Sequence, residues 1–244
     1  MKPRMIFTLS PGRCGTKYLK HVLESVPGVE SVHEGIPNFI EAWPEALRSR
    51  DVARWFWLEE KLPAIEATSA QTYFETSHHF KGYAAALLAL SIVPDILVIE
   101  RPHREVALSF WRRKSIPGKS ERGRKYLLHP DGPVLLKIKR WKRLSDYQLC
   151  YWYCLETEAM VRALARQFST VGATVHRTSL AELLTLKGFW AITEAFGLPT
   201  PRWHTYNRMK DWQVNVTPHA YRSSWPRGDL DAQEQQVRER IERT

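Results

Sequence analysis

The sequence lacks several features that define whole classes of protein. It has three cysteines in 244 residues, which excludes a disulfide framework, and no Cys/His cluster has the spacing of a zinc site. Its longest apolar run, residues 83–93, is far shorter than the ~20 residues that cross a bilayer. The first ten residues fit a strand and not a signal peptide. We therefore expect a reduced, cytoplasmic protein without a membrane span.

Positive charge is what the sequence has in excess. It contains 36 Lys and Arg against 26 Asp and Glu, a formal net charge of +10. Such an excess favours anionic partners: phosphates, sulfates, nucleic acid or a membrane surface. A hydrophobic content of 43% is typical of globular proteins and excludes wholesale disorder. We expect a single domain spanning residues 1–244, with a basic insertion or lid at about 115–145.

Apolar segments with strand and helix patterns alternate along the chain. Residues 5–9 and 96–100 are short apolar runs typical of buried strands, and each precedes a helical pattern. Weaker strand patterns occupy residues 71–75 and 173–177. Strands that alternate with helices and lack alternating polarity predict an α/β fold, with a central parallel sheet flanked by helices.

The first strand runs into a glycine-bearing segment, residues 10–17, which we call the glycine loop. A loop between a buried strand and a helix N-terminus binds anions, because backbone N–H groups and the helix dipole point outward. This loop also carries Arg13, Thr16 and Lys17. It is not a Walker A loop, because Gly15-Thr16-Lys17 reverses the Gly-Lys-Ser/Thr order of that motif. No carboxylate follows the 96–100 strand where a Walker B residue would hold Mg²⁺, so we expect no metal.

Two motifs resemble the sulfotransferases that use 3′-phosphoadenosine 5′-phosphosulfate (PAPS). The family's first motif, Pro-(Lys/Arg)-Ser-Gly-Thr, holds the donor's 5′-phosphosulfate, and the glycine loop is similar to it, with Cys and Lys at two positions where the family has other residues. The resemblance implies a P-loop-like nucleotide-binding fold with PAPS as donor and 3′-phosphoadenosine 5′-phosphate (PAP) as product. It assigns donor binding to six consecutive residues: Gly12, Arg13, Cys14, Gly15, Thr16 and Lys17.

The second motif of the family is an Arg at a strand end with a Ser eight residues later. Arg101 and Ser109 match this interval. The resemblance implies that both residues bind the 3′-phosphate, and Arg101 at the carboxyl end of a strand suits the crevice where α/β sheets bind ligands. Near the carboxyl terminus, three cations are further predicted phosphate contacts: Arg208, Lys210 and Arg222.

Sulfuryl transfer also needs a base for the acceptor's proton. Glu34 follows the first helix and resembles in placement the base Glu of tyrosylprotein and bacterial carbohydrate sulfotransferases. His33 is the alternative base, since an imidazole of ordinary pKa is poised near neutral pH. Arg13 and Lys17 would stabilise charge on the leaving oxygen. The His78-His79 pair has no third ligand at useful sequence spacing, which argues against a metal site.

The excess of positive charge is regional. Residues 112–143, here called the basic segment, hold 12 Lys and Arg against two acids. Three interpretations stay open: a lid over the donor and an acidic acceptor such as a glycan, a nucleic-acid surface, or a solvated loop.

We expect a PAPS-dependent sulfotransferase acting on a hydroxyl or amine, possibly of a carbohydrate or small metabolite. Nucleic acid is not an expected partner of that enzyme. The alternative is a metal-independent module that binds a nucleotide or RNA without transfer chemistry. The sequence does not indicate the acceptor or the oligomeric state.

Overall fold

A five-stranded parallel sheet forms the centre of the fold, as the alternating pattern predicts. The computed structural model describes residues 2–201, 203, 207 and 225–243. The strands stand in the order β2-β3-β1-β4-β6, and every pairing is parallel. Their bounds are β1 Arg4–Leu9, β2 Val29–Val32, β3 Thr72–Glu75, β4 Asp95–Glu100 and β6 Val175–Ser179. A separate antiparallel pair joins β5, Leu136–Ile138, to β7, Ile241–Arg243.

Helices fill the connections between the strands. They are α1 Thr16–Leu23, α2 Trp43–Ala46, α3 Arg50–Trp55, α4 Leu62–Glu66, α5 Ala84–Ala89, α6 His103–Arg112, α7 Glu121–Tyr126, α8 Asp146–Thr170, α9 Leu180–Leu183, α10 Leu186–Ala195 and α11 Leu230–Arg240. A π-helix, Phe56–Lys61, joins α3 to α4. Of the helices in the described part of the chain, none has the length and apolarity needed to span a membrane.

The chain divides into two compact units. Unit 1 comprises Met1–Glu100 and Val161–Asn215, and unit 2 comprises Arg101–Met160 and Val216–Thr244. Unit 1 therefore contains the whole parallel sheet, and unit 2 contains the basic segment.

The core of unit 1 is aromatic. Phe7 on β1 stacks on Phe80 with ring centroids 4.5 Å apart, and Phe39 and Trp57 pack edge-on against Phe7. All four side chains are buried. Large rings packed at close-packed density make this side of β1 rigid, which holds the loop that follows the strand in place.

Unit 2 is held by buried polar contacts as well as apolar ones. Arg104 on α6 pairs with Glu234 on α11 at 2.7 Å, and the Tyr147 hydroxyl donates to the same carboxylate at 2.5 Å. The Glu156 carboxylate accepts from the backbone N–H groups of Leu135 and Leu136, at 2.9 and 2.6 Å. These contacts anchor β5 and the end of the basic segment to α8.

The structure adds elements that the periodicity did not predict. The strand β2 and the helices between residues 43 and 66 were not recognised, nor were β5 and β7. β5 is only three residues long, and its partner lies about a hundred residues later, so no local pattern announces the pair. The predicted terminal helix over residues 229–243 ends at Arg240, where β7 begins.

Candidate functional site

The glycine loop follows β1, next to the point where the connections between strands reverse direction. From β1 the chain passes to β2 at one edge of the sheet. From β4, which neighbours β1 on the other side, the chain passes to β6 at the opposite edge. Parallel sheets bind ligands outside the carboxyl ends of their strands at such a switch point. The loop is therefore placed where an α/β protein has its crevice.

The backbone of the glycine loop is wound into left-handed conformations. Gly12, Arg13 and Gly15 have φ angles of 83°, 62° and 78°. A left-handed Arg is uncommon and costs about 1 kcal/mol or more, so the surrounding structure enforces it. At Gly15 a Cβ would lie 2.6 Å from the end of the Leu180 side chain, which would have to move to admit a larger residue. A turn that mixes left- and right-handed residues can direct backbone N–H groups toward one concave side, as in anion-binding nests.

The helix that follows has an open N-terminus. Gly15 caps α1 without a side-chain hydrogen bond, and no acidic residue occupies the first turn. Side chains of Ser, Thr or Asp cap α3, α7, α9, α10 and α11, whereas α2, α4, α5 and α6 are uncapped like α1. The first N–H groups of α1 thus point toward the loop, and no acidic side chain of the first turn offsets the positive end of the helix dipole. Lys17 is exposed in the same turn.

Cys14 shapes the loop from inside. Its side chain is fully buried and its thiol donates to the Gly12 carbonyl at 3.2 Å. The Ser10 hydroxyl accepts from the Gly12 N–H, also at 3.2 Å. Cys14 therefore supports the shape of the loop, and its thiol points into the protein.

Glu34 and His33 follow β2 and lie in the electrostatic field of this loop. Burial raises the pKa of Glu34, and the nearby Lys17 opposes that shift. Its side chain keeps 29% of its surface exposed, so it can reach a substrate. Glu34 itself adopts a left-handed backbone with φ 52°. Glu34 thus lies in the same unit as Lys17 and under its electrostatic influence.

The structure defines the tautomer of His33. Its Nδ1 lies 2.6 Å from the Thr76 carbonyl oxygen, which only accepts, so Nδ1 carries the proton and Nε2 carries the lone pair. Burial lowers the pKa of His33 to about 4, and Lys17 and Lys20 add to the effect. His33 is therefore neutral at pH 7 and a weaker base than an imidazole in water.

A buried ion pair holds the segment that carries Glu34. Lys61 Nζ and Glu75 Oε2 are 2.7 Å apart, and both side chains are almost fully buried. The Lys61 ammonium also donates to the carbonyls of Gly35 and Pro37, at 2.9 and 2.8 Å. The Gly35 N–H donates to Glu75 at 3.1 Å, and so does the Tyr73 hydroxyl at 2.8 Å. Burial raises the pKa of Glu75 and lowers that of Lys61.

This clamp is the part of the site that sequence reasoning missed. The segment from Tyr73 to His79 was recognised only as a polar strand end, and Lys61 carried no signal at all. Its charge is buried in a π-helix that local patterns do not predict. A motif search could not have found the pair, because its two members act through tertiary contact.

A carboxylate and two imidazoles come together near the loop. Glu34, His78 and His79 each offer a ligand atom, and these atoms lie within 4.8 Å of one another. The spacing of residues around His78 and His79 indicated no third ligand, and the structure supplies one, Glu34, from another loop. Ligands of a tetrahedral zinc ion are about 3.3 Å apart, given bonds near 2.0 Å. The Glu34–His78 distance of 3.9 Å is longer, so these side chains would have to move to hold an ion.

Lys81 lies beneath this group. It is 3% exposed, its ammonium donates to the His78 carbonyl at 2.5 Å, and it sits 5.0 Å from the Trp43 ring centroid. Burial lowers the pKa of Lys81 to about 7, and the proximity of Cys14 opposes the shift. A buried cation under the loop adds to the positive potential there.

Arg101 and Ser109 belong to unit 2. Arg101 is the first residue after β4, and its Nε donates to Glu105 at 2.9 Å. Ser109 lies on α6 and is 9% exposed. The three predicted carboxyl-terminal contacts, Arg208, Lys210 and Arg222, lie outside the described residues.

The structure defines an α/β protein with a central parallel sheet and a glycine-bearing strand–loop–helix segment at a sheet switch point. Comparison with protein-family models and with curated protein sequences finds no match for the chain.

Proposed function

We propose that the protein transfers a sulfuryl group from PAPS to a hydroxyl or amine. The observation that carries the proposal is the glycine loop: three left-handed residues and an open α1 N-terminus at the switch point, with Arg13 and Lys17 but no carboxylate. A cradle of N–H groups and cations suits the 5′-phosphosulfate of the donor.

In this mechanism the acceptor attacks sulfur in line with the bridging oxygen. The new bond forms between sulfur and the acceptor, and the bond from sulfur to the bridging oxygen breaks, so PAP leaves with the electron pair. Arg13, Lys17 and the α1 N-terminus stabilise the charge that grows on that oxygen. Glu34 takes the acceptor's proton, and the Lys61–Glu75 clamp holds Glu34 in position.

Glu34 is a better base than His33 in this setting. Burial raises the pKa of Glu34 and brings it closer to neutral pH, whereas His33 has a pKa of about 4. His33 Nε2 remains an acceptor that can orient the incoming group. Arg101 and Ser109 bind the 3′-phosphate in this proposal, which follows the family motif. We also propose that the protein acts in the cytoplasm.

Calorimetry with nucleotides tests the donor site. We expect PAP to bind far more tightly than AMP or ATP, because its 3′-phosphate gains charge-assisted contacts. Equal affinities for PAP and AMP would refute the proposal. A screen of acceptors with labelled PAPS then separates a transferase from a binding module, since a module binds PAP but labels no acceptor.

Chelation provides a second test. We expect transfer to continue at the same rate in EDTA, because cationic side chains of the loop take the role that a metal ion has in phosphoryl-transfer enzymes. The control is the same assay after Mg²⁺ is added back. A strict Mg²⁺ requirement would assign the protein to another mechanism.

A further inference from the structure

The Glu34 carboxylate lies beside the glycine loop without a hydrogen-bond donor. In the part of the chain that the structure describes, no group donates a hydrogen bond to it. Two imidazole nitrogens, His33 Nε2 and His78 Nδ1, are each 3.9 Å from its Oε1, which is too long for a hydrogen bond. A partly buried carboxylate in this state is stabilised by a cation that comes within bonding distance.

His78 and His79 bring two imidazoles to this carboxylate. One ligand atom from each ring and an oxygen of Glu34 lie within 4.8 Å of one another. The two rings are adjacent, with centroids 3.8 Å apart and planes tilted by 43°. The His78 ring also borders the glycine loop, because a Cβ on Gly12 would lie 3.2 Å from it. Two imidazoles and one carboxylate are a ligand set that zinc and other transition metals use in proteins.

The backbone of both ligand-bearing segments is held in place. The His79 N–H donates to the Ser77 hydroxyl at 3.3 Å, and the Lys81 ammonium donates to the His78 carbonyl at 2.5 Å. On the other segment, the buried clamp binds both the N–H and the carbonyl of the residue after Glu34. Segments that are already ordered lose little entropy when their side chains bind a ligand.

Small side-chain movements separate this group from a coordination shell. Ligand atoms of a tetrahedral ion are about 3.3 Å apart, so Glu34 Oε1 and His78 Nδ1 must approach each other by about 0.6 Å. The remaining pairs of ligand atoms must approach by at most about 1.5 Å. Rotation about the side-chain torsions supplies movements of this size while the backbone stays fixed.

The neighbouring charges decide which kind of metal ion fits. Lys17 acts on the Glu34 carboxylate, and the buried Lys81 lies beneath the imidazoles. Their positive charge opposes every cation, and a hard ion such as Mg²⁺ or Ca²⁺ would find one carboxylate in this group where it needs several oxygen ligands. Zn²⁺ and its neighbours in the transition series instead bind imidazole nitrogen directly. The group therefore suits an imidazole-binding divalent metal ion.

We propose that Glu34, His78 and His79 form a binding site for a divalent transition-metal ion of the zinc type. Binding requires neither the donor nor a reaction, so this part is independent of the proposed function. A second part rests on the proposed function: a metal ion on Glu34 occupies the lone pairs that take the acceptor's proton. Occupancy of the site therefore inhibits sulfuryl transfer reversibly.

Isothermal titration calorimetry of the metal-free protein with Zn²⁺ tests the site, and Mg²⁺ is the comparison ion. The variants are Glu34→Gln and His78→Gln, each of which keeps a polar side chain of similar size. The matched control is His103→Gln in unit 2. His103 lies 3.4 Å from Glu158, so this variant removes an imidazole that stands beside a carboxylate outside the proposed site.

We expect Zn²⁺ to bind at least about 100-fold more tightly than Mg²⁺. Each site variant should weaken Zn²⁺ binding by at least about tenfold, and His103→Gln should stay within about twofold of the wild type. Circular dichroism of each variant verifies folding. Equal affinities for the two ions, equal losses in all three variants, or an unchanged affinity in either site variant would overturn the site.

The role of His79 is measured in the wild-type protein, because its side chain is buried against Trp43 and its replacement endangers the fold. The imidazole ¹⁵N resonances of His78 and His79 should both shift when Zn²⁺ is added, whereas those of His103 should not. A His79 resonance that stays in place would contradict the proposed ligand set.

Assays with labelled PAPS at rising Zn²⁺ concentration test the inhibitory part. Turnover should fall with a midpoint that matches the calorimetric dissociation constant, and EDTA should restore it. In His78→Gln the midpoint should rise by the same factor as the dissociation constant, with each rate scaled to that variant's own metal-free rate. Zn²⁺ binding without inhibition would overturn this part alone. An absence of transfer by the metal-free protein would instead refute the proposed function, since calorimetry measures the site without it.

Discussion

The glycine loop and the basic segment both concentrate positive charge, but they do so in different ways. In the glycine loop, Arg13 and Lys17 stand beside a backbone that left-handed residues and a buried thiol hold in one shape. In the basic segment most of the charge resides on exposed side chains. Preorganised N–H groups select a ligand by shape, whereas exposed cations respond to total charge.

Composition alone therefore does not point to the candidate site. The basic segment accounts for most of the excess charge, yet the loop with only two flanking cations lies at the switch point. The following predictions test whether the two regions are as distinct as their construction indicates.

Glu34→Gln should have the largest effect. Gln keeps the size of the side chain but cannot accept a proton, so turnover should fall by about 10²–10⁴-fold while PAP affinity is unchanged. Labelled-donor assays and calorimetry measure the two quantities.

Two variants complete this experiment. Glu30→Gln on β2, whose carboxylate bonds to Thr68, should retain wild-type turnover. Arg13→Ala should weaken PAP binding as well as slow transfer, because the Arg13 charge acts in both the bound ground state and the transition state.

If His33→Ala loses activity and Glu34→Gln does not, His33 is the base. If neither loses activity, the segment is not at the reacting centre.

Lys61→Met should destabilise the protein most. It leaves the Glu75 carboxylate buried without its partner, so the free energy of unfolding should fall by about 3–5 kcal/mol in urea titration. Lys20→Met breaks an exposed ion pair with Glu24 and should cost only about 0.5 kcal/mol. A similar small cost for Lys61→Met would mean that the clamp does not hold the site.

Arg101→Ala should reduce the preference for PAP over AMP. Loss of a charge-assisted contact with the 3′-phosphate is worth roughly 1.5–3 kcal/mol, or about 10- to 100-fold in affinity. AMP affinity should not change, since AMP lacks the 3′-phosphate. Arg177→Ala, which removes an exposed arginine paired with Glu100 on the neighbouring strand, is the control. A preserved preference in Arg101→Ala would refute its assignment.

His33 should make stability depend on pH. Between pH 6.5 and about 4 the unfolded chain binds a proton at this residue that the folded chain does not, so stability falls as the pH falls through this window. His33→Gln should reduce that loss by about 1–3 kcal/mol, measured by urea titration at both ends of the window. An unchanged pH dependence in His33→Gln would contradict the lowered pKa.

Local patterns predicted the elements that bury continuous apolar runs. β1 and β4 were identified because they are continuous apolar runs, and the helices that follow them because apolar residues recur at the helical period. A capping box at Ser179 begins α9, because Ser179 and Glu182 satisfy each other's backbone N–H groups. The strands β5 and β7 were missed because three residues do not establish a period.

By itself the sequence determined the class of fold and the chemical character of the loop. Alternating apolar segments specify a parallel sheet, and glycines with flanking cations specify an anion site, because both depend on neighbours in the chain. Only the tertiary structure decided how the loop is shaped and what supports it. Lys61 meets Glu75, Glu34 comes within 3.9 Å of His78, and Nδ1 of His33 meets Thr76 through long-range packing. Burial then sets the pKa values of these groups, and burial is a property that no local pattern encodes.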